Sequence, residues 1–170
     1  KAGARVADAP FPFLDRMLAA NPKGGFPVPE AYSIHRERLQ TRGDAFDPNV
    51  RARMSRGASI TAADYIDLIQ IRNRLVEEID AWMEDFDALV LPTTPIVAPT
   101  IAEIADPDTF VARNTALLSN TSIVNFFDLC AISLPLPSPG LPVGLMLVAR
   151  NGDDHRLFRI ALAVERLLQS

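Results

Sequence analysis

From Tyr65 to Phe86 apolar side chains return at steps of three and four. They are Tyr65, Leu68, Ile69, Leu75, Val76, Ile79, Trp82, Met83 and Phe86, with Arg72 on the same stripe. This period predicts one long amphipathic helix. Thr61 and Asp64 stand at capping-box spacing ahead of it, so the helix is expected from about 61 to 84, roughly 36 Å long. Next comes the all-apolar run Ala88-Leu89-Val90-Leu91, stopped by Pro92. A run apolar on both faces fits a buried strand in a helix-covered sheet. Cys130–Pro135 and Val143–Val148 read as two further strands. The Pro137–Pro142 connection between them has hairpin-like turn chemistry. Asp153 stands where it would cap a closing helix with Leu157, Ile160, Ala161, Val164, Leu167 and Leu168 on its apolar side.

The rest of the chain is punctuated. Pro10, Pro12, Pro22, Pro27, Pro29, Gly24 and Gly25 break residues 7 to 30, leaving room for one helical turn at Leu14, Met17 and Leu18. A charged helix is predicted from about Pro29 to Gln40, and a short one capped at Asp47-Pro48 and ending near Gly57. Four prolines make 92–108 a loop. Residues 110–120 are predicted helical, with a separate short helix at Thr121–Phe127. Gly3, Val6 and Pro10 read as a helix end running into a strand. These elements give an α/β or α+β layer arrangement whose few strands look like part of a larger sheet.

Composition narrows the function classes. The chain has 170 residues and a net charge of −4, so no general attraction to nucleic acid or anionic lipid is expected. No apolar run approaches the ~20 residues that span a bilayer. The one cysteine, Cys130, implies no disulfide framework, and a cytoplasmic setting is expected. His35 and His155 lack neighbours at metal-ligand spacing, so no metal or cofactor is expected.

Several blocks, in order and at matching gaps, resemble the amidase-signature family. Asp87–Pro95 followed by Ala98-Pro99 resembles its D-x-L-x-x-P-T-x-P-x-x-A-P stretch. Asn125, Ala131–Pro135 and Gly140–Leu147 resemble its N-x-x-x-x-P-A-x-S-x-P … G-L-P-x-G-L-Q-L stretch. Asp153 or Asp154, Leu157 and Glu165 are similar to its closing helix, and Ala2-Gly3-Ala4-Arg5-Val6 looks like the A-G-A-x-V that follows its catalytic core. The sequence departs where Phe127-Asp128-Leu129-Cys130 replaces the usual Thr-Gly-x-Pro, and where Met146 replaces Gln. The first departure argues mildly against the A subunit of the tRNA-dependent amidotransferase and toward general or allophanate-hydrolase-like amidases.

The resemblance implies an α/β/α fold with a mixed sheet covered by helices. It also implies that residues 1–170 form a single C-terminal segment, with short helices in 1–60 and the long helix, strands and closing helix in 61–170. Members hydrolyse amides with a serine nucleophile, a relay serine and a lysine base. Such a hydroxyl is weak until a base takes its proton, and a Gly-Ser-rich loop supplies the oxyanion donors. This sequence contains no such loop and no Gly-x-Ser-x-Gly elbow. Its lysines are Lys1 and Lys23, and Lys23 sits in Asn21-Pro22-Lys23-Gly24-Gly25, read as an exposed turn. No catalytic residue is therefore expected in this chain. The start at Ala2-Gly3-Ala4-Arg5-Val6 is expected to be a cut just after the catalytic core.

Three residues are candidates for contact with a small-molecule amide substrate, shared with an N-terminal half. Thr93 and Thr94 follow a strand, where loops of α/β sheets build pockets. Arg53 stands on a helix that faces the pocket in the resembling family and could meet a substrate carboxylate; with Arg51 and Arg56 it could equally form a solvent-facing stripe. Cys130 is read as a structural thiol, Glu84, Asp85 and Asp87 as a solvated helix end, and Asn125 and Asp128 as turn formers. Three readings stay open: the C-terminal segment of an amide hydrolase, a non-catalytic module for binding or for pairing with another chain, and a self-contained enzyme using Cys130. An exposed sheet edge and apolar surface also lead to an expectation of self-association.

Overall fold

The computed structural model describes residues 3–169. Lys1 and Ala2 of the opening stretch lie outside the described residues. The elements run α1 (Leu14–Ala20), α2 (Pro27–Arg42), α3 (Pro48–Ser55), α4 (Ala62–Trp82), β1 (Leu89–Pro92), α5 (Pro107–Phe126), β2 (Cys130–Leu136), β3 (Val143–Ala149) and α6 (Asp154–Leu168), with 3-10 turns after α3 and α4. Contacts gather them into two compact units. One is Pro12–Leu75; the other is Val76 onward with the residues up to Phe11. The division falls inside α4, whereas the sequence reading placed a change of character at 60/61.

In the Val76-onward unit, β3 is the central strand, antiparallel to β1 on one side and to β2 on the other. The chain is α/β, with the sheet flanked by helices. The strands among the described residues pair antiparallel, so the mixed character implied by the family does not lie within them. Side chains alternate across the pleat. Leu134, Leu147 and Ala149 face α6, where they pack on Leu157 and Ala161. Met146 and Val148 face the other way, toward Val124 of α5 and toward Leu89, Leu91 and Leu129. One helix on each face gives three layers. The end of α4 adds Ile79 and Met83, both fully buried. Trp82 packs at a tilt against Phe86 (4.8 Å between ring centroids) and meets Phe11 edge to face (5.8 Å).

Several expectations are corrected. β1 is an edge strand with alternating burial, and Val90 is 55% exposed, so its apolar run does not mark burial on both faces. α5 is one continuous helix through Thr121, and Asn125 lies exposed in its last turn, not in a turn before β2. Its start at Pro107 uses that proline at N1, with Asp106 accepting from the Thr109 backbone N–H (2.8 Å). Residues 4–10 form no strand, and Val6 is exposed. Asp153 occupies the N-cap position of α6 but makes no side-chain cap; its carboxylate lies 3.7 Å from Arg150 Nε.

In the Pro12–Leu75 unit the predicted caps are present. Asp47 accepts from the backbone N–H groups of Asn49 (2.9 Å) and Val50 (3.1 Å) at the start of α3. α2 packs against the turn that follows α3 so closely that a Cβ on Gly57 would stand 2.5 Å from Val28 O and Tyr32 Cβ. Only glycine fits there without the backbone moving.

Candidate functional site

The end of β1 carries a cluster of hydroxyls. The Thr93 N–H donates to Gly144 O (2.9 Å), extending the β1–β3 ladder past Pro92. Thr93 Oγ1 lies 2.5 Å from Ser133 Oγ, so one hydroxyl donates to the other. Their strands are not neighbours, because β3 runs between them. The pair closes over Gly144, where a Cβ would stand 2.5 Å from both oxygens. α5 contributes Asn120, whose Nδ2 donates to Pro92 O (2.7 Å) and satisfies a carbonyl at the sheet edge. Thr94 is exposed and donates to Ile96 O (3.0 Å), which shapes the following loop. The result is a half-open polar patch of donors and acceptors with no charged group among these side chains. It can orient a polar ligand, but it contains no base to activate a hydroxyl.

Arg53 belongs to the other unit, on the exposed side of α3. Its neighbour Arg51 is held by Asp44 through a 2.6 Å ion pair. In that unit the capping box at α4 also binds a lysine. Asp64 Oδ2 accepts from the Thr61 N–H (2.9 Å), Thr61 Oγ1 (2.8 Å) and Lys23 Nζ (2.9 Å), and Thr61 Oγ1 accepts from the Asp64 N–H (3.1 Å). The Lys23 hydrogen bond, followed by those from Thr61, holds the Asp64 carboxyl down at about 2. Lys23 stands in the exposed turn expected of it, and its ammonium is also tied to the N-terminus of α4. An open cavity of about 190 Å³ lies beside it, floored by Leu68 and Ile71 and edged by Asn21 and Tyr65. Tyr65 Oη donates to Glu30 (2.9 Å), which raises the phenol's pKa.

Cys130 is half-buried and donates its S–H to Arg150 O (3.1 Å). Burial first, then the charge of Asp154, raises its pKa. The acidic helix end is paired: Glu84 lies 3.6 Å from Arg150, and Asp87 is bound by Arg156. Among the described residues no group of His, Cys, Asp and Glu could hold a metal ion, and no helix is long and apolar enough to cross a membrane.

Sequence reasoning placed Thr93 and Thr94 at this site but missed Ser133, Gly144 and Asn120. Gly144 inside an otherwise apolar strand was the available signal for a close approach.

The amidase family model matches residues 8–158, and the chain belongs to that family. Over 170 residues it is 28% identical to 2-amino-5-chloromuconic acid deaminase of Comamonas testosteroni, covering 99% of this chain and 37% of that protein. It is 31% identical over 134 residues to the A subunit of glutamyl-tRNA(Gln) amidotransferase from Thermotoga maritima, covering 75% of this chain and 27% of the relative. Among solved structures, an S177A allophanate hydrolase of Kluyveromyces lactis superposes with a TM-score of 0.78 at 27% identity, over 91% of this chain and 25% of that one. A crystal structure of an amidase gives the same TM-score at 24% identity, over 92% and 36%, a likeness of fold. The chain spans about a third of the length of the relatives it matches.

Proposed function

We propose that this chain is the C-terminal segment of a cytoplasmic amidase-signature hydrolase that cleaves a small-molecule amide. The observation that carries the reading is the family match over residues 8–158. In it the nucleophilic serine, the relay serine and the lysine base belong to the part of the relatives' length that this chain does not span. This segment supplies the flanked sheet and, at the end of β1, the Thr93 and Thr94 hydroxyls as part of a substrate-pocket wall. Ser133 fixes Thr93 through the 2.5 Å contact, so its hydroxyl is oriented before substrate arrives. Arg53 is proposed to meet a substrate carboxylate. The likeness to a deaminase named for a muconic acid supports an acidic substrate.

The test compares the isolated chain with a longer protein containing it. The longer protein should hydrolyse a carboxylate-bearing amide, with Arg53→Ala raising KM and leaving kcat near its original value. The isolated chain should show no serine-dependent hydrolysis. Turnover by the isolated chain, lost on treatment with a serine-directed inhibitor, would overturn the division of labour. A longer protein that binds but never hydrolyses amides would favour the binding-module alternative.

A further inference from the structure

At the end of β1, Asn120 uses only half of its carboxamide. Its Nδ2 donates to Pro92 O (2.7 Å). A carbonyl can only accept, so this bond decides which end of the carboxamide faces the sheet edge and leaves Oδ1 at the other end. Asn120 is half-buried, and among the described residues Oδ1 has no protein donor and is not sealed from solvent. Pro92 is itself exposed, so water would serve its carbonyl. Asparagine is also a poor helix former in mid-helix. What Asn120 supplies is a direction: an acceptor whose orientation is set before any ligand arrives.

The hydroxyl pair has a donor to spare. Thr93 Oγ1 and Ser133 Oγ carry two hydrogens, and the 2.5 Å contact between them uses one. The second has no protein acceptor among the described residues, and the first bond polarises it. Thr93 continues the alternation of Leu89 and Leu91, and Ser133 stands opposite Met146, so both lie on the face of the sheet that α5 covers. Asn120 reaches the same face from one turn before Val124. The carbonyl it holds belongs to the peptide bond that carries the Thr93 nitrogen. Acceptor and donor therefore stand on either side of a single peptide group, within reach of one small ligand.

We infer that Asn120 Oδ1 and the Thr93–Ser133 pair together bind a group that has both an N–H and a C=O, an amide or a ureido group. Oδ1 accepts the N–H of that group, and the outward hydroxyl donates to its oxygen. A carboxylate brings no N–H and sets its charge against Oδ1; an ester lacks the N–H. The inference rests on the reading of the end of β1 as part of a substrate-pocket wall, and it names the group that this wall takes.

N-methylacetamide and methyl acetate are alike in shape and differ in N–H against O. Titrating each into the isotope-labelled chain, followed through its backbone and side-chain amide signals, tests the inference. N-methylacetamide should shift the Thr93 N–H and Asn120 Nδ2 signals saturably, and methyl acetate should bind about tenfold more weakly. In Asn120→Ala the two should bind alike. Thr93→Val combined with Ser133→Ala should weaken both ligands about tenfold and keep the preference for the amide. General loosening of the site would weaken both ligands without cancelling their difference, so the loss of preference in Asn120→Ala reports contact and not fold. Equal binding of amide and ester by the unaltered chain overturns the inference and needs no variant. So does the absence of saturable shifts at Thr93 and Asn120, or a preference that survives in folded Asn120→Ala. The titration requires no turnover. A longer protein that fails to hydrolyse amides counts against the hydrolase reading alone, and a failure to discriminate counts against this inference alone.

Discussion

Thr93 and Ser133 touch across a strand that belongs to neither. Their hydroxyl oxygens lie 2.5 Å apart above Gly144. Any β-carbon at Gly144 would occupy the place where the two oxygens meet. The two edge strands are therefore tied together over the central one, at the point where the β1 ladder ends and the 92–106 loop begins.

Gly144→Ala should then act as a wedge. Its methyl group would stand 2.5 Å from both hydroxyl oxygens and 3.0 Å from Thr93 Cβ, so the pair must separate. The expected cost is about 1–3 kcal/mol, seen as a lower urea midpoint with an unchanged slope. Combining it with Thr93→Ser and Ser133→Ala should recover part of the loss, because fewer atoms then oppose the methyl. An unaffected midpoint in the single variant would show that the two hydroxyls do not close over this glycine.

A second expectation concerns acid. Asp64 has its carboxyl pulled down to about 2 from an ordinary 3.8, by Lys23 first and then by Thr61. A carboxyl depressed on folding contributes stability that is fully present above about 3.8 and is lost as pH falls toward 2. Asp64→Asn should therefore narrow the difference in melting temperature between pH 6 and pH 2.5, mostly by lowering the value at pH 6. Lys23→Met should remove part of the same dependence, leaving what the two Thr61 hydrogen bonds hold. Thermal melts across this range check both, and parallel wild-type and Asp64→Asn curves would discount the interaction.

What could be read from the sequence follows the range of the interactions involved. The Thr61–Asp64 box and the Asp47 cap were legible because each closes within three residues. α5 was expected to break near Thr121, yet the helix runs on through Ser119, Asn120, Thr121 and Ser122, all poor helix formers. It continues because Ser119 and Thr121 return their hydroxyls to Ala116 O and Leu118 O, while Asn120 is spent on Pro92. That last partner is 28 residues away, and nothing local announces it. The apolar run of β1 gave a strand but not its place in the sheet, since an edge strand and a central one share the same residues. Thr93 was found through its position after a strand. Ser133 was not, because its role depends on a contact between residues 40 apart.

Asp128 explains one departure from the family pattern. It has φ +60°, the left-handed region that favours glycine, and it stands where the family pattern carries Gly. Aspartate tolerates this conformation better than most residues, and its carboxylate here accepts from Asn151 Nδ2 (3.2 Å). Asp128→Gly should relieve backbone strain and change stability by less than about 1 kcal/mol. Asp128→Val should cost about 2 kcal/mol, because a branched Cβ is badly placed in this region. Chemical denaturation of both separates the backbone effect from loss of the Asn151 bond, which the two variants share.

Cys130 provides a test of the reading in which this chain is an enzyme by itself. Thiol chemistry needs the thiolate, and reactive cysteines sit in electropositive, accessible places. The surroundings of Cys130 are the reverse. Burial and the negative charge of Asp154 both favour the protonated form, and the S–H is already given to Arg150 O. No histidine is its hydrogen-bond partner. Iodoacetamide at pH 7.5 should label the folded chain at least about tenfold more slowly than the urea-unfolded chain, with mass spectrometry locating the label at the single cysteine. Raising the pH to 9 should increase the folded chain's rate by a larger factor than the unfolded chain's, because the folded thiol titrates higher while the unfolded one is already nearing full ionisation. Rapid labelling of folded protein at neutral pH would mean that the thiol is poised as a nucleophile, and the Cys130 mechanism would then have to be taken up in place of a structural role.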